Sequence, residues 1–145
     1  MVSSFPEYYV RKVTIEDLKH AEQAAKVFME AYNSKDEGWT SVSKTVDYYR
    51  ISKDDVEKSI KRSLEGNLSQ FFAFQRISDV EEVVIGTISV EPTYKDKAGN
   101  IIPGEGYVGS FSVDPKIQSK GIGGKLMRAA IDQLKQDNYS TCVIW

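Results

Sequence analysis

Apolar and polar positions along this chain repeat with two different periods, and the switches between them mark its elements. Tyr8-Tyr9-Val10-Arg11-Lys12-Val13 is aromatic and β-branched and reads as a first strand. From Ile15 to about Tyr32 the apolar positions Leu18, Ala21, Ala25, Phe28 and Tyr32 share one helical face, and Thr14 stands three residues before Asp17 as in a capping box. His20 lies off that stripe and reads as a surface histidine rather than a catalytic one. Asn33 to Gly38 breaks the helix. Ser52 and Asp55 mark a second helix start, Val56, Ile60 and Leu64 repeat at i, i+4 and i+8, and Gly66-Asn67 stops it. Two strands follow, 70–77 and 83–90, joined by the short acidic turn Ser78 to Glu82 as a hairpin. Thr93 to Glu105 reads as a loop with turn signals at Lys97 to Asn100 and at Pro103-Gly104. Tyr107 to Val113 is the next strand, closed by Asp114-Pro115. A helix carrying Leu126, Ala129, Ala130 and Leu134 on one face runs to Asp137-Asn138, and Ser140 to Trp145 reads as a last strand. The order is β-α-α-β-β-β-α-β, which suits an α/β or α+β sheet.

The junction between the fourth strand and the third helix carries the sharpest chemistry. It reads Gln118-Ser119-Lys120-Gly121-Ile122-Gly123-Gly124. Glycines at a helix entrance let backbone N–H groups approach a ligand closely, because no Cβ intervenes. The first turn of a helix has N–H groups without intrahelical partners and the positive end of the dipole, so the place suits an anion. Between Pro115 and Ile131 the only charges are Lys116, Lys120, Lys125 and Arg128, whereas the whole chain has a formal net charge of −2. The local positive excess is not a general trend. The plainer alternative is a strand-to-helix connection with solvated lysines. The P-loop pattern fails because Gly124-Lys125 is followed by Leu126, and the dinucleotide fingerprint fails at the same residue.

Composition narrows the setting. A chain of 145 residues is expected to form one domain around a single core. The slightly negative net charge argues against broad nucleic-acid binding. Cys142 is the only cysteine, so no internal disulfide is possible, and with His20 it makes no metal-ligand cluster; no metal is expected. The N-terminus lacks the charged start and apolar run of a signal peptide, and no stretch is long enough to span a membrane. A cytoplasmic location is the expectation, with the nucleus open.

Gln118, Gly121 and Gly123 form a Gln-x-x-Gly-x-Gly pattern directly after a strand ending Val113-Asp114-Pro115 and before an amphipathic helix. This resembles the acetyl-CoA-binding motif of the GNAT N-acetyltransferase superfamily, Gln/Arg-x-x-Gly-x-Gly/Ala, and the element order resembles that fold up to its fifth strand. The resemblance implies a mixed central sheet flanked by helices, and direct transfer of an acetyl group from acetyl-CoA to an amine of a small molecule or peptide. It implies that the backbone of Ser119, Lys120, Gly121, Ile122, Gly123 and Gly124 cradles the pyrophosphate while Gln118 orders the turn. Lys116, Lys120 and Lys125 are then candidates for phosphate pairing, each with a solvated surface position as the simpler reading. Phe111, Ser112 and Val113 would pair their backbone with the pantetheine amides as a peptide adds to a sheet edge. Gly109 is the expected mark of a bulge that splays this strand from the last one.

A general base is harder to assign. Some members of the superfamily use a glutamate on the fourth strand, and alignment on Gln118 puts Tyr107 there. Glu105 lies two residues earlier on the same face by strand alternation. Glu91, at the end of the third strand, is the other candidate, and each of the three also reads as ordinary surface. Ser110 and Ser112 are not nucleophile candidates, because neither a nucleophile elbow nor a suitable histidine supports them. Trp39, Tyr48 and Tyr49 would line the acceptor wall or simply cover the core edge. The family pattern continues with a fourth helix, which commonly carries a tyrosine that protonates the departing thiolate, and two more strands. The resemblance therefore implies a C-terminally incomplete domain: part of a longer protein, a natural short form with reduced activity, or a sheet completed by another molecule. An apolar last strand with an uncovered edge is expected to promote homodimerisation or strand exchange. The alternative function is a catalytically weak or inactive acyl-CoA-binding or structural module.

Overall fold

Five strands lie across one sheet in chain order: β1 (Glu7–Lys12), β2 (Ser69–Arg76), β3 (Glu82–Tyr94), β4 (Ile101–Val113) and β5 (Thr141–Ile144). The computed structural model describes residues 6–34, 51–94 and 100–144, without the side chains of residues 32–34, 94, 118, 119 and 144. Trp39, Tyr48 and Tyr49 fall outside the described residues. Strands β1 to β4 pair antiparallel, and β5 pairs parallel to β4. The sheet is mixed because a helix carries the chain from β4 to β5, and a helical crossover can bring the next strand back in the same direction. That helix is α3 (Ile122–Gln136); α1 (Ala21–Ser34) and α2 (Lys53–Leu64) come between β1 and β2. The expected order of eight elements and the α+β class are those observed.

Strand alternation divides the core in two. Phe71, Ala73, Ile88, Val90 and Val108 pack with Ile122, Leu126, Ala130 and Leu134 of α3. Phe72, Phe74 and Val84 pack with Ala21 and Ala24 of α1 and Ile60 of α2. The α3 stripe is the one that the sequence predicts, with Ile122 added at its start. Helix α3 lies close to the sheet at Gly106, where a Cβ would come within 2.4 Å of Leu134 Cδ2. On α2 the expected Leu64 is exposed; Ser63 is buried instead, and its hydroxyl accepts the Gln70 N–H at 3.1 Å.

The first helix departs from expectation in an informative way. Residues Ile15–His20 form a 3-10 helix, and only then does α1 begin. The Thr14–Asp17 capping box is present, with the Thr14 N–H donating to Asp17 Oδ2 at 2.7 Å. In a 3-10 helix residues i and i+3 eclipse, so Asp17 and His20 turn inward together. His20 is accordingly buried, not on the surface, with its ring centroid 5.4 Å from that of Phe74 in an edge-on arrangement. Arg11 holds Asp17 through two bonds of 2.7 and 3.0 Å, reaches Glu82 at 2.9 Å and lies over the Phe74 ring. Tyr9 donates to Glu82 as well, at 2.7 Å.

The β3–β4 hairpin is longer than predicted. Much of the segment expected as loop, 93–105, is strand in the structure, and Pro103-Gly104 lies inside β4. Pairing shifts register between Pro92 and Tyr94, and Gly104 has φ +77°, so the turn signal at Pro103-Gly104 marks an irregularity in a strand. The Gly104 carbonyl accepts the Ser140 N–H at 2.9 Å and ties the start of β5 to it.

Burial alone would raise the Asp17 carboxyl, but Arg11 and the Thr14 N–H hold it below the ordinary carboxylate value. Its contribution to stability is therefore present above the unfolded pKa and is lost as pH falls through the lower folded value. Arg11→Met leaves a buried carboxylate without its cation. Because Arg11 keeps 35% of its side chain exposed, the expected cost at pH 7 is about 2–3 kcal/mol, somewhat below that of a fully buried pair. Urea unfolding at pH 7 and at pH 4 checks this: the difference from the parent shrinks as Asp17 takes up its proton.

Candidate functional site

The ladder between β3 and β4 breaks at one place near the end of β4. Thr87 faces Ser112 and Ser89 faces Gly109, so two steps on β3 match three on β4. The extra residue is a bulge, with Ser110 at φ 54°, a left-handed conformation uncommon for a residue with a Cβ. Side chains of β3 take up the carbonyls that the bulge displaces. Thr87 Oγ1 donates to the Ser110 carbonyl, and Ser89 Oγ donates to the Gly109 carbonyl at 3.1 Å. Ser112 Oγ lies 3.0 Å from Thr87 Oγ1. The bulge stands one residue beyond Gly109, where the sequence suggested one.

Among the described residues, β5 pairs with β4 only from Glu105 to Val108, and β4 from Gly109 onward has a strand on its β3 side alone. The bulge also resets which way side chains point. Phe111 and Val113 pack with the α3 cluster, while Ser112 faces Thr87. Gly123 lies over the Phe111 ring, with its Cβ position 3.4 Å from Cζ. The end of β4 thus braces the entrance of α3.

That entrance is the predicted glycine turn. A 3-10 helix, Pro115–Lys120, leads into it and is capped by Asp114, whose carboxylate accepts the Lys116 N–H at 2.9 Å. Gly121 follows at φ 75°, ψ 15°, ending that turn and starting α3. A glycine is required there by conformation. Gly124 is different: it has no positive φ, it is exposed, and a Cβ on it would meet nothing within 4 Å. Nothing in the packing calls for glycine at that position. No side chain caps α3, and its first ladder bond is from the Lys125 N–H to the Gly121 carbonyl at 3.2 Å, so the N–H groups of Ile122, Gly123 and Gly124 precede the ladder. Lys116, Lys120, Lys125 and Arg128 are all exposed around them. The Lys125 ammonium lies 3.4 Å from the Tyr8 carbonyl of β1. The Gln118 and Ser119 side chains fall outside the described residues.

The candidate acids and Tyr107 converge on the other face of the sheet. Tyr107 pairs opposite Glu91, and its ring packs so closely beneath Gly109 that a Cβ there would come within 2.5 Å of it. Glu105, two residues earlier on β4, shares that face by alternation and pairs with Thr141. Glu91 is half-buried, 3.5 Å from Arg62 of α2. Burial raises its carboxyl above the ordinary glutamate value, against the opposing pull of Arg62. Sequence reasoning passed over the polar strip that leads from Glu91 to the bulge. Its signal was legible: Thr87, Ser89 and Glu91 recur at period two in an otherwise apolar strand.

Sheet, bulge and glycine-bearing helix entrance together define an acyltransferase-like fold of the GNAT type. A family model described as the acetyltransferase (GNAT) family matches residues 19–145, and the chain belongs to that family. Among solved structures it resembles a PaiA N-acetyltransferase from Thermoplasma acidophilum in complex with coenzyme A, with a TM-score of 0.70 and 23% identity over 95% of this chain and 78% of that one. A GNAT acetyltransferase from Brucella melitensis in complex with acetyl-CoA follows at 0.59 and 24% identity, over 95% and 75% of the two chains. Glucosamine-6-phosphate N-acetyltransferase from Arabidopsis thaliana matches at 0.59 and 13% identity, over 96% and 82%. At these identities the likeness is one of fold. No curated protein matches the chain.

If Gly124 is not needed for packing, Gly124→Ala stabilises the first turn of α3 by roughly 0.5–1 kcal/mol. Thermal unfolding measures this. A loss of stability would show that the position is constrained by the fold itself.

Proposed function

We propose that the chain is an N-acetyltransferase that takes its acetyl group from acetyl-CoA and delivers it to an amine. The observation that carries the proposal is the uncapped helix entrance at Ile122 to Gly124, ringed by lysines, with a glycine at 124 for which the packing has no use. The backbone there would bind the pyrophosphate, with Lys116, Lys120 and Lys125 as candidates for charge pairing and Gln118 and Ser119 completing the turn. Phe111, Ser112 and Val113 would offer their backbone edge to the pantetheine arm. The thioester then lies near the bulge.

The reaction is a direct displacement. The amine nitrogen attacks the thioester carbonyl carbon, the C–N bond forms as the C–S bond breaks, and the thiolate leaves and takes up a proton. The amine must surrender its own proton first, directly or through a water. Glu91, Glu105 and Tyr107 share the face from which it would attack. Glu91 fits the task best, because burial lifts its carboxyl toward working pH while β3 and Arg62 hold it in place.

Two measurements test this reading. Calorimetric titration with acetyl-CoA is expected to show binding by the parent and at least tenfold weaker binding by Gly124→Glu, which sets a negative charge where the pyrophosphate should lie and puts no strain on the helix. Equal binding by both proteins puts the ligand elsewhere. Glu91→Gln is expected to lower kcat about 100-fold, within the usual range for loss of a general base. In the parent, activity should fall as pH drops through the raised Glu91 pKa, and that acid limb should disappear in the variant. An unchanged limb removes Glu91 from the role.

A further inference from the structure

The end of α2 fixes one long side chain against the sheet. Gly66 takes φ 86°, its N–H donates to the Ser63 carbonyl at 3.1 Å, and the Asn67 N–H donates to the Arg62 carbonyl at 2.9 Å. These are the two bonds of a Schellman motif, and they close the last turn of the helix on itself. Ser63 is buried beneath that turn, and its hydroxyl accepts the Gln70 N–H of β2 at 3.1 Å. The backbone from which the Arg62 side chain departs is therefore tied both to its own helix and to the sheet.

From there Arg62 reaches β3, where its Nη1 lies 3.5 Å from Glu91 Oε2. That separation is a charge contact, longer than an ordinary hydrogen bond, so the guanidinium acts on the carboxylate chiefly through its field. The other titratable groups on this face are Tyr107, opposite Glu91 on β4, and Glu105 two residues before it, and neither brings a positive charge. Among the described residues Arg62 is the one charge that pulls the Glu91 carboxyl down, against the burial that raises it. A proton acceptor must be ionised when the amine arrives and still basic enough to take its proton. Burial alone supplies basicity at the expense of the ionised form, and a nearby cation restores that form.

We infer that Arg62 is a positioning residue for proton transfer: anchored by the end of α2, it keeps Glu91 ionised at working pH and so sets the lower pH limit of the reaction. This inference rests on the transfer reading and on Glu91 as its base. One proton moves in the step, from the acceptor's ammonium to the Glu91 carboxylate, and Arg62 neither gives nor takes one.

The test compares the parent with Arg62→Met and Arg62→Lys. The Glu91 carboxyl is titrated by carbon NMR of protein labelled in its glutamates, with Glu91→Gln assigning the signal. Thiol release from acetyl-CoA is followed from about pH 5 to 9 with spermidine, benzylamine and glucosamine 6-phosphate. In Arg62→Met the Glu91 titration and the acid limb of kcat should both move up by about one pH unit, the low end of the range for an adjacent opposite charge, because the Arg62 side chain is 42% exposed. Activity then falls about tenfold below the limb and recovers as pH rises past it. Arg62→Lys, which keeps the charge, should restore most of the shift. A loss equal at every pH, or an unmoved limb with a raised KM for the amine, makes Arg62 a structural or acceptor-contacting residue and overturns the inference while the transfer reading stands. A limb that survives in Glu91→Gln removes the base and this inference together. Acetyl-CoA binding without thiol release from any of the amines overturns the transfer reading as well.

Discussion

The bulge on β4 is the constraint on which the site depends. Without it, strand alternation would send Phe111 and Val113 to the same face as Gly109, toward α1 and α2. With one extra residue, both instead face α3, and Ser112 turns to Thr87. Such an insertion is costly. A non-glycine residue in the left-handed region carries roughly 1–2 kcal/mol of strain, and a buried carbonyl without a donor costs about 1–3 kcal/mol. The Thr87 and Ser89 hydroxyls remove the second cost by meeting the two displaced carbonyls. The irregularity is therefore stable only because β3 carries hydroxyls where a core strand would ordinarily carry valine.

From there the geometry propagates in both directions along the chain. Phe111 supports Gly123 and sets the height of the α3 entrance above the sheet, while Gly106 lets the other end of α3 come down onto β4. The helix is fixed at both ends by one strand. Its first turn, with the N–H groups that precede the ladder, stands against Phe111 near the end of β4, beside the stretch that β5 does not cover among the described residues. The positive end of the dipole and the lysines around it follow from the placement of a single helix.

Much of this was legible from residues alone, and what was missed has identifiable causes. The glycine turn and the α3 stripe were readable because their signals are local. The bulge was located to within one residue by Gly109, but the residue that adopts positive φ is Ser110, and nothing in a serine announces that. His20 was misjudged because an α-helical period was applied to a stretch that winds as a 3-10 helix, where its partner is Asp17. The loop expected from Thr93 to Glu105 is mostly strand, because Pro103 and Gly104 signal a break in regularity without specifying whether the break is a loop or a bulge. The Glu91–Arg62 pair joins residues from β3 and α2, so no window of sequence contains it.

The two faces of the sheet serve different physical ends, and the proposed reaction needs both. The α3 face is apolar beneath the helix and positive at its entrance, which suits a polyanionic carrier held by backbone and charge. The opposite face carries Thr87, Ser89 and Glu91 in line, and among the described residues the one fully buried carboxylate, Asp17, is paired with Arg11. A half-buried carboxylate that burial raises above its ordinary value is suited to the proton-accepting role proposed for Glu91. Its position two residues from Ser89 puts the proposed proton acceptor on the strand that braces the bulge. The strand that stabilises the irregularity is thus also the one that would carry the chemistry, which ties the energetic cost of the bulge to its use.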